Sequence, residues 1–318
     1  AVYWMEEGTT SVGEILAFIS YIGLFWQPIR SLASIYNQII NNLSSAARVF
    51  EIMDEKSDIT EDENAVDIEV KEGRVEFRNV TFSYPDDEST NIVENLSFSV
   101  KGGETVALVG PTGAGKTTII NMIARFYDSV EGDILLDGQD IKKATFSSLR
   151  KAVSVMPQDS VLFTGTIRDN LTYGKDVDDA IIDEKIKELN LTSLIDSLPS
   201  GYDTLIKDAG LSSGQKQLIA LARTMIADPK ILILDEATSN VDTRTELMVQ
   251  RGLKVLMKGR TSFIVAHRLS TIRNADEIFV VGNKTIMERG NHDELMKIEG
   301  GEYRSLYEAQ FALIDTKG

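Results

Sequence analysis

The feature that most constrains the fold is a strand-like run, a glycine-rich loop and a helix-like segment that follow one another directly. Residues 105–109 (TVALV) are apolar and mostly β-branched, as expected for a short strand buried on both faces. The loop at residues 110–117 reads GPTGAGKT, and the helix-like stretch 118–126 follows it. This order predicts a phosphate-binding loop of the form GxxxxGK[ST] between a buried strand and a helix, and hence an α/β fold.

The residue types in this loop suit a nucleoside triphosphate. Glycines allow backbone N–H groups to close around phosphate oxygens, and the helix N-terminus adds a favourable dipole. Lys116 can reach the β- and γ-phosphates, and the Thr117 hydroxyl can bind Mg²⁺. A chance glycine-rich turn fits poorly between a strand and a helix. We therefore predict that ATP contacts consecutive residues of the loop and the helix start: Gly110, Pro111, Thr112, Gly113, Ala114, Gly115, Lys116, Thr117 and Thr118.

Two further apolar runs end in side chains that suit ATP hydrolysis. Residues 231–234 (ILIL) precede Asp235 and Glu236, and residues 262–266 precede His267. Ligands of open parallel sheets lie beyond the carboxyl ends of the strands, so these side chains can share the crevice of the loop. We predict that Asp235 binds Mg²⁺, and that Glu236 and His267 act on the attacking water or the γ-phosphate. Taken alone, Asp235 and Glu236 also fit an acidic loop at the end of a strand, and His267 also fits a packed or surface histidine.

Composition excludes several classes of protein. Among 318 residues, 33 are Lys or Arg and 49 are Asp or Glu, which gives a formal net charge of −16 and argues against nucleic acid as a partner. The chain has no cysteine, so it has no disulfide framework and no cysteine-based zinc site. With only two histidines, a histidine-rich metal site is not expected either.

The first part of the chain has a different pattern. Residues 15–26 are apolar apart from Ser20 and Tyr21, which fits either a buried core helix or part of a membrane-spanning helix. After Pro28, apolar residues recur three or four apart and predict an amphipathic helix: Leu32, Ile35, Ile39, Leu43, Ala46, Phe50 and Met53. Residues 54–72 are rich in acids, which predicts a solvated linker before a globular domain at residues 73–318. This domain opens with strand-like runs at residues 75–77 and 80–82.

At residues 211–215 the sequence LSSGQ resembles the signature of the ATP-binding cassette (ABC) family. It opens a predicted helix at residues 213–227, which Pro229 prevents from continuing far. Other motifs of that family follow the expected order along the chain. Tyr84 resembles the aromatic residue that stacks on adenine, and Gln158 resembles the Q-loop glutamine that senses Mg²⁺ and the γ-phosphate. Asp242 lies in a segment similar to the D-loop, and His267 resembles the switch histidine.

This resemblance implies a fold and a mechanism. The fold is α/β: a P-loop NTPase core of the RecA-like type, with a mixed sheet, an antiparallel β subdomain and a helical signature subdomain. Two such domains would dimerise head to tail and hold each ATP between the phosphate-binding loop of one and the signature of the other. Signature residues would therefore contact the partner's ATP, namely Ser212, Ser213, Gly214 and Gln215. The catalytic residues implied are Glu236, His267, Gln158 and Lys116, and the Mg²⁺ ligands implied are Thr117, Gln158 and Asp235.

Residues 11–18 and 48–53 resemble the last membrane helix of an exporter and its exit into the cytosol. The resemblance implies that residues 1–53 end a transmembrane domain, and that about five further helices precede this chain in a multi-pass protein of the plasma membrane. The nucleotide-binding domain would lie in the cytoplasm, and the partner would be an identical or a paralogous half-transporter. The exported substrate, a drug, lipid or peptide, is not readable from these motifs.

Two alternatives to an exporter are a soluble ABC ATPase that acts on nucleic acid or protein complexes, and an unrelated P-loop kinase. The acidic composition and the apolar residues 15–26 disfavour the first, and the second leaves Tyr84 and the signature unexplained. One departure from the family pattern is the stretch 207–211, which is about two residues shorter than in most exporters. A shorter loop here puts the placement of the signature and its coupling to the membrane domain in question.

Overall fold

The structure is a computed structural model that describes residues 11–315, apart from residues 56 and 88 and the segments 158–160, 236–242 and 266–271. The chain divides into two compact units, Ala1–Ser57 and Asp58–Gly318. The first unit contains one described helix, and the second contains the phosphate-binding loop together with two β-sheets.

The described part of the first unit contains the helix α1 (Val12–Asp54), of 43 residues. Ser11 caps its N-terminus, because the Ser11 hydroxyl accepts a bond from the Glu14 N–H while the Glu14 carboxylate accepts one from the Ser11 N–H. Pro28 lies inside the helix, and none of the helical residues is buried. At 1.5 Å per residue the helix is about 65 Å long, roughly twice the hydrocarbon thickness of a bilayer. By length and composition it could cross a membrane.

The second unit begins with β-strands and then alternates strands with helices. Its described strands are β1 (Val75–Ser83), β2 (Asn91–Val100), β3 (Thr105–Val109), β4 (Glu131–Leu136), β5 (Gln139–Asp140), β6 (Val153–Met156), β7 (Ile231–Asp235), β8 (Thr261–Val265), β9 (Glu277–Gly282) and β10 (Thr285–Gly290). Its described α-helices are α2 (Lys116–Ile123), α3 (Phe146–Ala152), α4 (Ile167–Thr172), α5 (Asp179–Glu188), α6 (Thr192–Asp196), α7 (Ser213–Ala227), α8 (Thr243–Met257), α9 (His292–Leu295) and α10 (Glu302–Asp315).

Within the described residues the strands form two sheets. The first is antiparallel with the order β2-β1-β4-β5, and the second is mixed with the order β10-β9-β3-β8-β7-β6. In the second sheet β9, β3, β8, β7 and β6 are parallel to their neighbours, whereas β10 pairs antiparallel with β9. The helices α4 to α7 lie between β6 and β7 in the chain and form the helical part of the unit. This architecture confirms the predicted P-loop NTPase core with its antiparallel β subdomain.

Most sequence-based strand and helix predictions agree with these bounds. The strand at residues 105–109 and the helix at residues 213–227 agree at both ends. The runs predicted at residues 75–77 and 80–82 form one strand, β1, because a bulge joins them. Asn79 lies in the bulge with φ 49°, and its N–H donates to Ser97 Oγ at 2.8 Å.

The acidic segment before residue 73 differs from the expected solvated linker. The compact unit starts at Asp58, and the side chains of Ile68 and Val70 belong to its hydrophobic core. Asp137 fixes the end of this segment by accepting bonds from four consecutive backbone N–H groups, from Lys71 to Arg74. These bonds hold the pKa of Asp137 below its ordinary value in spite of partial burial. A few apolar side chains therefore dock a segment whose composition is mostly acidic.

Candidate functional site

The loop at residues 110–117 has the backbone that its glycines were predicted to allow. Gly110 adopts φ 148°, and a Cβ there would lie 2.2 Å from the carbonyl oxygen of Val281. Gly113 adopts φ 80° and Gly115 adopts φ 96°, both in the left-handed range that side-chain-bearing residues rarely enter. Gly115 is also the N-cap of α2, which has no side-chain cap. The first N–H groups of α2 therefore lack a side-chain acceptor, as required of a phosphate site.

Lys116 lies over this loop. Its Nζ donates to the carbonyl oxygens of Gly110, at 2.8 Å, and Pro111, at 2.9 Å. Partial burial lowers the pKa of Lys116, and the negative charge of Asp235 opposes that shift. The ammonium group is thus held at the mouth of the loop by carbonyl acceptors, a place from which it can turn to a bound phosphate.

Tyr84 lies beside the same loop. Its hydroxyl is 2.9 Å from Thr118 Oγ1 in the first turn of α2. Phe82 and Tyr127 hold its ring edge-on, with ring centroids 5.0 and 5.2 Å away. A cavity of about 290 Å³ is lined by Tyr84, Ile92 and residues 113–118. An aromatic ring and an array of N–H donors thus meet at one cavity, as a base attached to phosphates requires.

Ile92 is a member of this cavity that the sequence prediction missed. It belongs to β2, and its Cγ2 atom lies 3.4 Å from where a Cβ on Gly115 would be. In the sequence Ile92 is one apolar residue of an ordinary strand, so no local signal distinguishes it. Only the folding of the antiparallel sheet beside α2 brings it to the loop.

Parallel pairing places the carboxyl ends of β3, β8 and β7 at the same edge of the second sheet. Asp235 of β7 pairs with Val265 of β8, and Val265 pairs with Leu108 of β3. Asp235 therefore lies near the start of the phosphate-binding loop, in agreement with its effect on the pKa of Lys116. The predicted residues Gln158, Glu236, Asp242 and His267 lie outside the described residues.

The signature residues begin another helix, α7. Ser212 is its N-cap: the Ser212 hydroxyl accepts from the Gln215 N–H at 3.3 Å, and Gln215 Oε1 accepts from the Ser212 N–H at 2.8 Å. Ser212 and Ser213 are exposed, whereas Gly214 is buried. Of the residues that line the cavity at the phosphate-binding loop, none belongs to this signature. One copy of the chain thus presents its loop and its signature at separate places.

The candidate Mg²⁺ site offers two described protein ligands, Asp235 and Thr117. Asp235 is half-buried at the end of β7, and Thr117 is exposed in the first turn of α2. No group of three or more His, Cys, Asp or Glu residues suitable for a metal occurs in the described part of the chain. One carboxylate and one hydroxyl fit Mg²⁺, which usually takes its other ligands from phosphates and water.

The profile of the ABC transporter family matches residues 93–239. The chain is 47% identical over 308 residues to a Bacillus subtilis protein named "Uncharacterized ABC transporter ATP-binding protein YfiC", covering 96% of this chain and 50% of that protein. It is 45% identical over 301 residues to the "Fatty acid ABC transporter ATP-binding/permease protein" of Mycobacterium bovis, covering 93% of this chain and 47% of that protein.

Among solved structures, a bacterial Atm1-family ABC exporter with ATP bound is similar in fold. The TM-score is 0.73 at 39% sequence identity, and the match covers 95% of this chain and 53% of that one. The chain thus belongs to the ABC transporter family and carries its ATP-binding domain. It spans about half the length of the curated relatives it matches.

Proposed function

We propose that this chain is the ATP-hydrolysing motor of an ABC exporter, joined through α1 to the membrane part of the transporter. One observation carries the proposal: a cavity in which Tyr84, the glycine loop and Lys116 meet, at the carboxyl end of β3 and beside Asp235. The similarity to an Atm1-family ABC exporter over 95% of this chain supports it. The long apolar helix α1 supports the membrane location, with residues 1–53 as the end of the transmembrane domain.

We assign the binding of ATP to residues on both sides of the cavity. The Tyr84 ring stacks on the base, and the N–H groups of the loop and of the first turn of α2 hold the phosphates. Lys116 exchanges its two carbonyl acceptors for the β- and γ-phosphates. These contacts account for nucleotide binding by one copy of the chain.

We assign hydrolysis to residues that follow neighbouring strands. In this proposal Thr117, Asp235 and Gln158 would hold Mg²⁺, which would neutralise developing charge on the phosphates. Glu236 orients the attacking water and accepts its proton, and His267 contacts the γ-phosphate. Glu236 directly follows Asp235 at the end of β7, a position that supports its assignment.

A second copy, identical or paralogous, completes the site in this proposal. Its exposed Ser212 and Ser213 at the start of α7 contact the γ-phosphate from the opposite side, while Asp242 belongs to the same interface. The separation of signature and loop within one chain supports this shared site. ATP would then close the dimer and its hydrolysis would reopen it, driving export of a drug, lipid or peptide across the plasma membrane from a cytoplasmic motor domain.

A Glu236→Gln variant tests the hydrolytic part. We expect it to bind ATP as the original chain does, while hydrolysis falls about 10²- to 10⁴-fold, the usual contribution of a positioned base. Binding is measured with a fluorescent ATP analogue and hydrolysis by phosphate release. The control is Glu184→Gln, an exposed carboxylate on α5, which should leave both unchanged. A Glu236→Gln chain with undiminished hydrolysis would remove Glu236 from the mechanism.

A further inference from the structure

A buried arginine lies directly after the helix of the phosphate-binding loop. Arg125 follows the C-cap of α2 and adopts the left-handed backbone conformation, with φ 49°. Its side chain is only 2% exposed. None of the assigned steps of ATP binding or hydrolysis uses this residue. A fully buried guanidinium is costly unless all its donors are paired, so its partners show what it holds together.

The five N–H donors of Arg125 all have acceptors. Its Nε donates to Asp128 Oδ1 at 3.0 Å, and Nη2 reaches Asp128 Oδ2 at 3.5 Å. Nη1 donates to the carbonyl oxygens of Ile141, at 3.0 Å, and Ala144, at 3.2 Å. Nη2 also donates to the carbonyl oxygen of Thr60 at 3.2 Å. A lysine has three donors and no planar fork, and could not make this set of bonds.

Thr60 belongs to residues 60–68, here called the connecting segment, which lie in the chain between the end of α1 at Asp54 and the start of β1 at Val75. Further bonds fix this segment along residues 141–148. Glu61 accepts from the Phe146 N–H at 2.6 Å. The Val66 N–H donates to the Lys143 carbonyl at 2.9 Å, and the Thr145 N–H donates to the Val66 carbonyl at 3.0 Å.

Residues 141–148 lead through α3 to β6, the strand that precedes Gln158 in the chain. Ser148, whose hydroxyl accepts from the Ile68 N–H at 3.1 Å, lies on α3, and α3 runs into β6. The residue predicted to sense Mg²⁺, Gln158, follows β6 in the chain. The connecting segment is therefore attached to α2 through Arg125 and to β6 through α3.

We propose that Arg125 is a positioning residue that links the connecting segment to the ATP site. It joins the C-terminal end of α2, whose N-terminal end holds the phosphates, to the segment that continues from α1. A change in the order of α2 on nucleotide binding is thereby passed to residues 60–68, and a displacement of those residues is passed back. This inference rests on the proposed function, since it presumes that ATP binds at α2.

Hydrogen–deuterium exchange of the Val66 and Ile68 amides in the full 318-residue chain tests the link. In the original chain we expect ATP to slow the exchange of both amides by about fivefold or more. The reason is that ordering of α2 suppresses local opening of the bonds between the connecting segment and residues 141–148. In Arg125→Lys we expect ATP to bind with its affinity changed less than about threefold, while the effect of ATP on these amides is lost.

Arg150→Lys is the matched control. Arg150 also donates to carbonyl oxygens at the end of α2, those of Ala124 and Arg125, and its guanidinium stacks on Phe126 with 5.2 Å to the ring centroid. These three partners of Arg150 lie outside the connecting segment, so the response of the amides to ATP should persist. An equal loss in both variants would overturn the link, because it would reflect general loosening of the α2 end.

A second variant keeps Arg125 intact in case Arg125→Lys does not fold. Glu61→Ala with Asp67→Ala removes two exposed acceptors of the connecting segment, for the Phe146 N–H and the Thr145 hydroxyl. It should also weaken the response of the Val66 and Ile68 amides to ATP at unchanged ATP affinity. If the original chain binds ATP but these amides do not respond, the link is wrong while the proposed function stands. If it does not bind ATP, the proposed function itself is wrong.

Discussion

Two helix N-termini in this chain are assigned to phosphate binding, but only one of them has a side-chain cap. At the start of α2 the N-cap is Gly115, in a left-handed conformation and with no side-chain cap. At the start of α7 the N-cap is Ser212, and a capping box with Gln215 pairs donors at that end. The difference indicates that the first N–H groups of α2 are available to a ligand without displacing a side-chain cap. The capping box at α7 is complete without a ligand, and in the proposed dimer the signature would contact phosphate only through a second copy.

The largest effect is expected at the α2 end, for Lys116→Ala. Charge-assisted hydrogen bonds contribute about 1.5–3 kcal/mol each, so loss of the ammonium should weaken ATP binding by roughly 100-fold. Calorimetric titration with ATP measures it. The matched control is Lys216→Ala at the α7 end, an exposed lysine in the first turn of that helix, which should leave the affinity unchanged. Equal losses in both variants would erase the contrast between the two helix ends.

A smaller effect is expected for Tyr84→Ala, which removes the predicted stacking surface beside α2. Stacking contributes about 1–3 kcal/mol per base, which corresponds to roughly tenfold weaker binding of ATP. Tyr84→Phe keeps the ring and removes only the hydroxyl that pairs with Thr118, so its ATP affinity should stay within about threefold. If the phenylalanine variant loses as much as the alanine variant, Tyr84 acts on α2 through Thr118 and not on the base.

At the α7 end, Ser212→Ala should affect stability more than ATP binding by a single copy. Loss of an N-cap costs about 1 kcal/mol of the free energy of unfolding, measurable by urea denaturation. Asp178→Ala, which removes the N-cap of α5 and its bond from the Ala180 N–H, is the control for a cap outside the signature. Both should lose similar stability, and only Ser212→Ala should slow hydrolysis in the assembled dimer. A loss of ATP affinity in single copies of Ser212→Ala would contradict the separate roles.

The smallest expected effect is a pH dependence of the free energy of unfolding that comes from Lys116 at the start of α2. The pKa of Lys116 is lowered from 10.5 by burial, so the folded chain releases this proton at a lower pH than the unfolded chain does. The free energy of unfolding should therefore rise with pH across the window between the lowered pKa and 10.5. Lys116→Met should reduce this slope in urea denaturation, whereas Ser212→Ala should keep it because neither Ser212 nor Gln215 titrates. An unchanged slope in Lys116→Met would show that Lys116 is not the titrating group.

The sequence predicted the parts of the site whose signals are local. The loop at residues 110–117 needs glycines at fixed positions, and both β3 and the signature helix α7 agree with their predicted bounds. The helix α2 begins at Lys116 and ends at Ile123, earlier at both ends than the predicted stretch 118–126. The packing of Ile68 and Val70, in the acidic segment before residue 73, was not predicted. Ile68 and Val70 are two apolar residues among acids, and nothing nearby in the chain indicates the core into which they pack.

By itself, the sequence determined that the chain has a phosphate-binding loop between a buried strand and a helix, a signature at the start of a second helix, and an apolar stretch at residues 15–26 followed by an amphipathic helix. Only the tertiary structure decided that Asp235 lies in register with the strand before the loop, that Ile92 lines the cavity, and that Arg125 holds Thr60. The physical reason is distance along the chain. Glycine conformations, caps and hydrophobic periods are set by neighbouring residues, whereas strand register and the partners of a buried guanidinium depend on segments tens of residues away.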